Sequence, residues 1–176
     1  MSRKLTFEIF RYNPQDPQSV PHMDTYVLDE TESMTLFLAL NQLREEQDAS
    51  LIFDFCCRAG VCGACGMVIN GRPGLACHTK TKDLPSTITL LPLPFFKLVG
   101  DLSVDTGVWF REMYQRVESW IHTHKEFDAS KEEERMENDV AEEIYELDRC
   151  IECGCCLAAC GTARMREDFL GAVAIN

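Results

Sequence analysis

The stretch Phe55–Cys77 reads F-C-C-R-A-G-V-C-G-A-C-G-M-V-I-N-G-R-P-G-L-A-C. Within it Cys57, Cys62 and Cys65 stand as C-x4-C-x2-C, and Cys77 follows after eleven more residues. This is the spacing of a plant-type [2Fe–2S] loop. Two irons bridged by two sulfides need four thiolates arriving from around the cluster. A short loop can supply three if it wraps tightly, and a neighbouring strand can supply the fourth. Tight wrapping needs small residues and backbone angles that glycine tolerates, which Gly60 and Gly63 offer inside the loop. Backbone amides can then point at the sulfurs. A zinc site is the alternative use of these thiols, although zinc favours short cysteine pairs that face each other.

Working outward, the chain has 176 residues, enough for one or two small domains with a core. Hydrophobic residues make up 45%, so the composition is globular. The net charge of −12 argues against nucleic acid, whose phosphates need a basic footprint, and against adhesion to anionic lipid. Ten cysteines are the outlier. The first residues, M-S-R-K-L-T-F-E-I-F, carry no apolar signal core, so the thiols are expected to be reduced metal ligands rather than disulfides. No apolar run is long enough for a membrane span. The nearest, Ile88 to Gly100, is interrupted by Pro92, Pro94 and Lys97.

Lys4–Arg11 alternates, with Leu5, Phe7 and Ile9 on one face, and is expected to form a half-buried strand. Met23–Asp29 alternates again and should pair with it. Ser33 or Thr35 can cap a helix running to about Gln47, with Leu36, Phe37, Leu40 and Leu43 as its apolar stripe. After the cysteine loop, Gly66–Asn70 reads as a strand. Asn70-Gly71 is a two-residue hairpin signal, and the returning strand brings Cys77 back beside the loop. Thr87–Leu91 reads as the last strand. The class is α+β: a β-grasp ferredoxin domain over 1–95, followed by an α-helical bacterial-ferredoxin-type domain over 96–176. In the second part, Val108–His124 and Lys131–Leu147 read as helices, with Val140, Ile144 and Leu147 packing inward.

A second cysteine cluster lies in that part. Cys150, Cys153, Cys156 and Cys160 fit C-x2-C-x2-C-x3-C, the bacterial ferredoxin run, in which three cysteines hold one cubane and the fourth ligates another cluster. The proline that usually follows is Gly161 here. Cys155 is out of phase and, like Cys56, reads as a small packing residue. Two zinc pairs are the alternative. His78, next to Cys77, reads as a surface residue that could hydrogen-bond near the first site, and Arg58 reads equally as a charge that raises the local potential or as half of a surface ion pair. His122 and His124, two apart on a helix, do not share a face.

Both motifs in one chain resemble the iron–sulfur subunit of the succinate dehydrogenase/fumarate reductase family. The likeness rests on C-R-A-G-V-C-G-A-C-G-M at 57–67, N-G-R-P at 70–73, L-A-C at 75–77, L-D-R-C-I-E-C-G-C-C at 147–156 and A-A-C-G at 158–161. The segments I-T-L-L-P-L-P-F-F-K-L-V-G-D-L-S-V-D at 88–105 and R-V-E-S-W-I-H at 116–122 are most similar to bacterial fumarate reductases with a dihaem cytochrome b anchor.

The resemblance implies an electron-transfer subunit, peripheral on the cytoplasmic side of the inner membrane, with no substrate site of its own. Its implied partners are an FAD-containing flavoprotein subunit, a cytochrome b-type membrane anchor and a quinone at the interface, with no nucleic acid. It implies that Cys57, Cys62, Cys65 and Cys77 hold [2Fe–2S]. Some family members place Asp at the third of these positions. Cys150, Cys153 and Cys156 would be three ligands of [4Fe–4S], and Cys160 one ligand of [3Fe–4S]. Family chains carry further cysteines after this run, whereas this one stops at Asn176, so a C-terminally incomplete chain is expected. The competing assignments are the iron–sulfur arm of another flavin or molybdenum oxidoreductase and a zinc-stabilised interaction module without redox function.

Overall fold

The computed structural model describes residues 3–117, 130, 135–147, 149–166 and 168–175. Five strands form one mixed sheet: β1 (Lys4–Arg11), β2 (His22–Asp29), β3 (Gly66–Ile69), β4 (Arg72–Leu75) and β5 (Thr87–Leu91), in the order β2-β1-β5-β3-β4. β1 pairs antiparallel with β2 and parallel with β5, and β3 pairs antiparallel with β4 and β5. The alternation in β1 puts Leu5, Phe7 and Ile9 in the core at 0% exposure. In β2 the inward face is the one holding Tyr26 and Leu28, while Met23 and Val27 face out. Helix α1 (Leu36–Glu46) starts where Thr35 Oγ1 accepts the Leu38 amide. It buries Leu36, Phe37, Ala39, Leu40 and Leu43 in the same core as the sheet. Asn70 and Gly71 both take positive φ, +48° and +80°, which is the mirror-image turn that β3 and β4 need.

Beyond Pro94 the expected helical pattern is delayed. A hairpin comes first, β6 (Lys97–Gly100) and β7 (Ser103–Asp105). Asp101 at its tip is 3% exposed, and its carboxylate accepts the amides of Tyr12 and Ile52, each at 2.9 Å. Arg11 Nε lies 3.1 Å from the same carboxylate, an ion pair without the alignment of a hydrogen bond. Leu102 joins the main core. The hairpin is therefore fastened to the first sheet from the far side of the 95/96 division.

α2 (Gly107–Val117) follows, burying Phe110 and Met113. The rest of the helix expected to run to His124, with His122, lies outside the described residues. Of the helix expected over Lys131–Leu147, α3 (Asn138–Leu147) is described. Its side chains do not pack inward as expected: Val140, Ile144 and Leu147 are 44–46% exposed, and α3 has no buried residue. The apolar stripe is present at helical spacing, but it turns away from the core that the described residues form. The chain then makes three short helices, α4 (Cys155–Ala159), α5 (Gly161–Met165) and α6 (Ala172–Ile175).

Candidate iron–sulfur centres

The first cysteine loop hangs between α1 and β3. Its thiols fall into two groups. Cys57 and Cys62 lie at the rim, whereas Cys65 and Cys77 are 3% and 8% exposed. Cys65 immediately precedes β3, and Cys77 stands just after β4, so the hairpin sets their separation. The amides of Ala59 and Val61 donate to Cys57 Sγ at 3.3 and 3.4 Å. The Cys57 amide donates to Cys62 Sγ at 3.5 Å, and the Cys77 amide to Cys65 Sγ at 3.4 Å. The loop aims these amides inward by taking left-handed backbone at Arg58, Gly60 and Gly63. Arg58 is the unexpected member, since a side chain there costs about 1–2 kcal/mol.

These contacts act on the thiols. The Ala59 and Val61 amides, then Cys62, hold the Cys57 thiol down at about 6. Burial pushes Cys65 up to about 11, against the pull of the Cys77 amide. Cys57 is thus a ready thiolate at neutral pH, while Cys65 gives up a proton as a metal arrives. Among the described residues no three Cys, His, Asp or Glu side chains are grouped tightly enough for one metal ion. The first-site thiols stand as a rim pair, Cys57 with Cys62, and a buried pair, Cys65 with Cys77. Two irons with two thiolates each require that arrangement, so the residues fit a [2Fe–2S] cluster. Cys56, expected as a packing residue, is instead exposed beside the loop. His78 lies against Gly60, where an added β-carbon would meet its ring at 3.0 Å.

The second motif sits directly against the first. Glu152 and Gly154 take positive φ, +53° and +73°, and turn the chain around Cys153. Cys150, Cys153 and Cys156 are neighbours: burial first, then charge on Cys153 and Cys150, pushes the Cys156 thiol up. A hydrogen bond from the Cys155 thiol lowers Cys153 to about 6 and correspondingly raises Cys155. Cys155 also packs against the small cluster of Val68, Leu93 and Ala158. Cys160 Sγ accepts the Ala163 amide at 3.4 Å at the start of α5. The Tyr114 hydroxyl donates to the Glu152 carboxylate, tying α2 to the loop.

A family model described as a 2Fe-2S iron-sulfur cluster binding domain matches residues 6–111. The fumarate reductase iron–sulfur subunit of Wolinella succinogenes is 63% identical over 177 aligned positions, covering all of this chain and 74% of that one. The chain belongs to the fumarate reductase/succinate dehydrogenase iron–sulfur subunit family. Within that family, the mitochondrial succinate dehydrogenase [ubiquinone] iron–sulfur subunit 1 of Oryza sativa is 35% identical, covering 97% of this chain and 61% of its own length. The solved Mycobacterium smegmatis Sdh1 complex in the apo form shares the fold, with a TM-score of 0.85 at 24% identity, over 98% of this chain and 72% of that one. The α+β class is therefore as expected, and the matched domain is an iron–sulfur domain rather than a zinc module. As a member of this oxidoreductase family, the subunit is an electron-transfer component.

Proposed function

We propose that this iron–sulfur subunit relays electrons between the FAD of a flavoprotein subunit and a quinone, menaquinone by the resemblance, at a cytochrome b-type anchor. Cys57, Cys62, Cys65 and Cys77 would hold the [2Fe–2S] cluster nearest the flavin. Cys150, Cys153 and Cys156 would give three ligands of a [4Fe–4S] cluster, and Cys160 one ligand of a [3Fe–4S] cluster. The clusters supply one-electron redox chemistry, so the two electrons exchanged between succinate and fumarate would pass singly. What the chain contributes is position and field. The amides of Ala59, Val61 and Cys77 stabilise charge on Cys57 and Cys65, which favours the more negative, reduced state of a site. Attachment to the cytoplasmic side of the inner membrane would come through partner subunits, since no helix of the described residues is long and apolar enough to cross one.

The observation that carries this reading is the direct contact of two cysteine motifs, the first with two thiol pairs already assembled. Metal and acid-labile sulfide analysis of the purified complex, with EPR of dithionite-reduced and oxidised samples, tests it. Iron and sulfide in near-equal amounts, with a reduced [2Fe–2S] signal, are expected. Zinc without sulfide contradicts the proposal.

A further inference from the structure

Gly63 and Cys153 belong to different motifs, yet their backbones touch. A β-carbon on Gly63 would stand 2.8 Å from Cys153 Cα, 2.9 Å from Cys153 Cβ and 3.2 Å from the Ile151 carbonyl oxygen. Real β-carbons do not approach backbone so closely, so only glycine permits the contact. Gly66, at the start of β3, makes a second approach. A β-carbon there would meet the Cys153 carbonyl oxygen at 3.3 Å and Leu93 Cδ1 at 3.0 Å. From the other side Phe96 fills the space over Gly154, where a β-carbon would lie 2.6 Å from its ring. Beside the contact the two loops part to form a cleft lined by Asp54, Thr106 and Glu152 among others.

We propose that Gly63 and Gly66 are positioning residues: a side-chain-free seat into which the second cysteine loop docks, fixing the separation between the two cluster sites. The inference about cluster separation rests on the proposed ligand role of Cys150, Cys153 and Cys156. The seat itself rests on the contact alone. Electron exchange between clusters falls steeply with distance, so a seat that admits no methyl group keeps the gap short. Gly60 separates this role from backbone strain. Its φ of +73° matches the +74° of Gly63, but its missing side chain faces the movable His78 ring. Gly60→Ala therefore carries the same left-handed strain without wedging the loops apart.

The test compares Gly63→Ala, Gly66→Ala and Gly60→Ala in the assembled complex by two readouts. The first is hydrogen exchange of amides 150–160. Overpacking at the seat is expected to speed it about tenfold in Gly63→Ala and by a smaller factor in Gly66→Ala, with wild-type rates in Gly60→Ala. The second is spin relaxation of the reduced [2Fe–2S] signal, which a nearby paramagnetic cluster accelerates. Gly63→Ala is expected to slow it toward the value of an isolated cluster while the signal's g-values persist. Wild-type exchange at 150–160 in both seat variants overturns the proposal. Gly66→Ala keeps ordinary strand backbone, so it decides the matter if Gly63→Ala does not assemble. Faster exchange in the variants, with no relaxation enhancement in the wild type, upholds the seat and removes instead the cluster assignment at Cys150, Cys153 and Cys156.

Discussion

The two cysteine regions are built differently. The first is part of the sheet. Its two buried thiols flank the β3–β4 hairpin, and its rim thiols take hydrogen bonds from amides of their own loop. The second is a short loop that borrows its support. Leu157 at 0% exposure and Ala158 anchor it, Phe96 presses on Gly154, Tyr114 holds Glu152, and the glycine seat receives Cys153. The helix leading into it, α3, contributes no buried residue. A site built into a sheet has its geometry fixed by the same core that folds the domain. A site docked onto that domain has its geometry fixed at the contact, so its position depends on a few close approaches.

The sharpest way to break this contrast is to remove one thiol from each region. Cys65→Ala is expected to abolish the reduced [2Fe–2S] EPR signal, because it takes one of the four proposed ligands from a buried pair whose other member is held by the hairpin. Cys156→Ala is expected to leave that signal intact, since the proposed first-site ligands all lie in the first region. Cys56→Ser should also leave it intact, its thiol being exposed beside the loop. Loss of the signal in Cys156→Ala would show that the first region is not self-contained.

Much of the first region was legible in the sequence because its determinants are local. The alternation of Leu5, Phe7 and Ile9, the Thr35 cap and the Asn70-Gly71 turn act within a few residues of where they stand. The thiol spacing reads for the same reason. What escaped reading depends on partners far along the chain. The β6–β7 hairpin follows Pro92 and Pro94, which read as a domain boundary. Its hold on the first region comes from the buried Asp101 carboxylate reaching Tyr12 and Ile52, backbone bonds to the same two residues, and Leu102 in the core. The signal was there in Asp101, an acid placed inside the apolar run L-V-G-D-L. Arg58 and Glu152 gave no hint of left-handed backbone, since neither residue type favours it. The Gly63–Cys153 contact could not be read at all, because a glycine that permits a close approach looks the same as one that permits a turn. The α3 stripe failed in the opposite way: helical periodicity shows that a face is apolar, not what it meets.

Asp101 offers a smaller but still large test of how the first region is held. Asp101→Ala removes the acceptor of two amides and one of the three carboxylates that pair with Arg11, leaving Asp24 and Asp48, without touching a thiol. Leaving two part-buried amide donors without their acceptor, and weakening the ion pairing of Arg11, costs about 3 kcal/mol. For a chain of 176 residues that lowers the thermal midpoint by roughly 6–12 °C, at about 2–4 °C per kcal/mol. Circular dichroism melting checks it, and the folded fraction should keep its [2Fe–2S] spectrum. A shift of only a degree or two would mean that the hairpin is a loose appendage rather than part of the first region.

The smallest expected effect is at α3. Val140 and Ile144 stand four apart and share one helix face, and Ile144 is 44% exposed. Ile144→Ser in the purified subunit is expected to change stability by less than about 0.5 kcal/mol, as substitutions away from packed sites do. Leu157→Ala, at a fully buried position in the same part of the chain, should cost about 2–5 kcal/mol and serves as the scale. If Ile144→Ser approached the Leu157→Ala value, α3 would be packed in solution. The second region would then own a core of its own rather than borrowing the first region's surface. A negligible effect at Ile144 beside a large one at Leu157 places the support of the second cysteine loop where the close approaches are, at Leu157, Gly154 and the glycine seat.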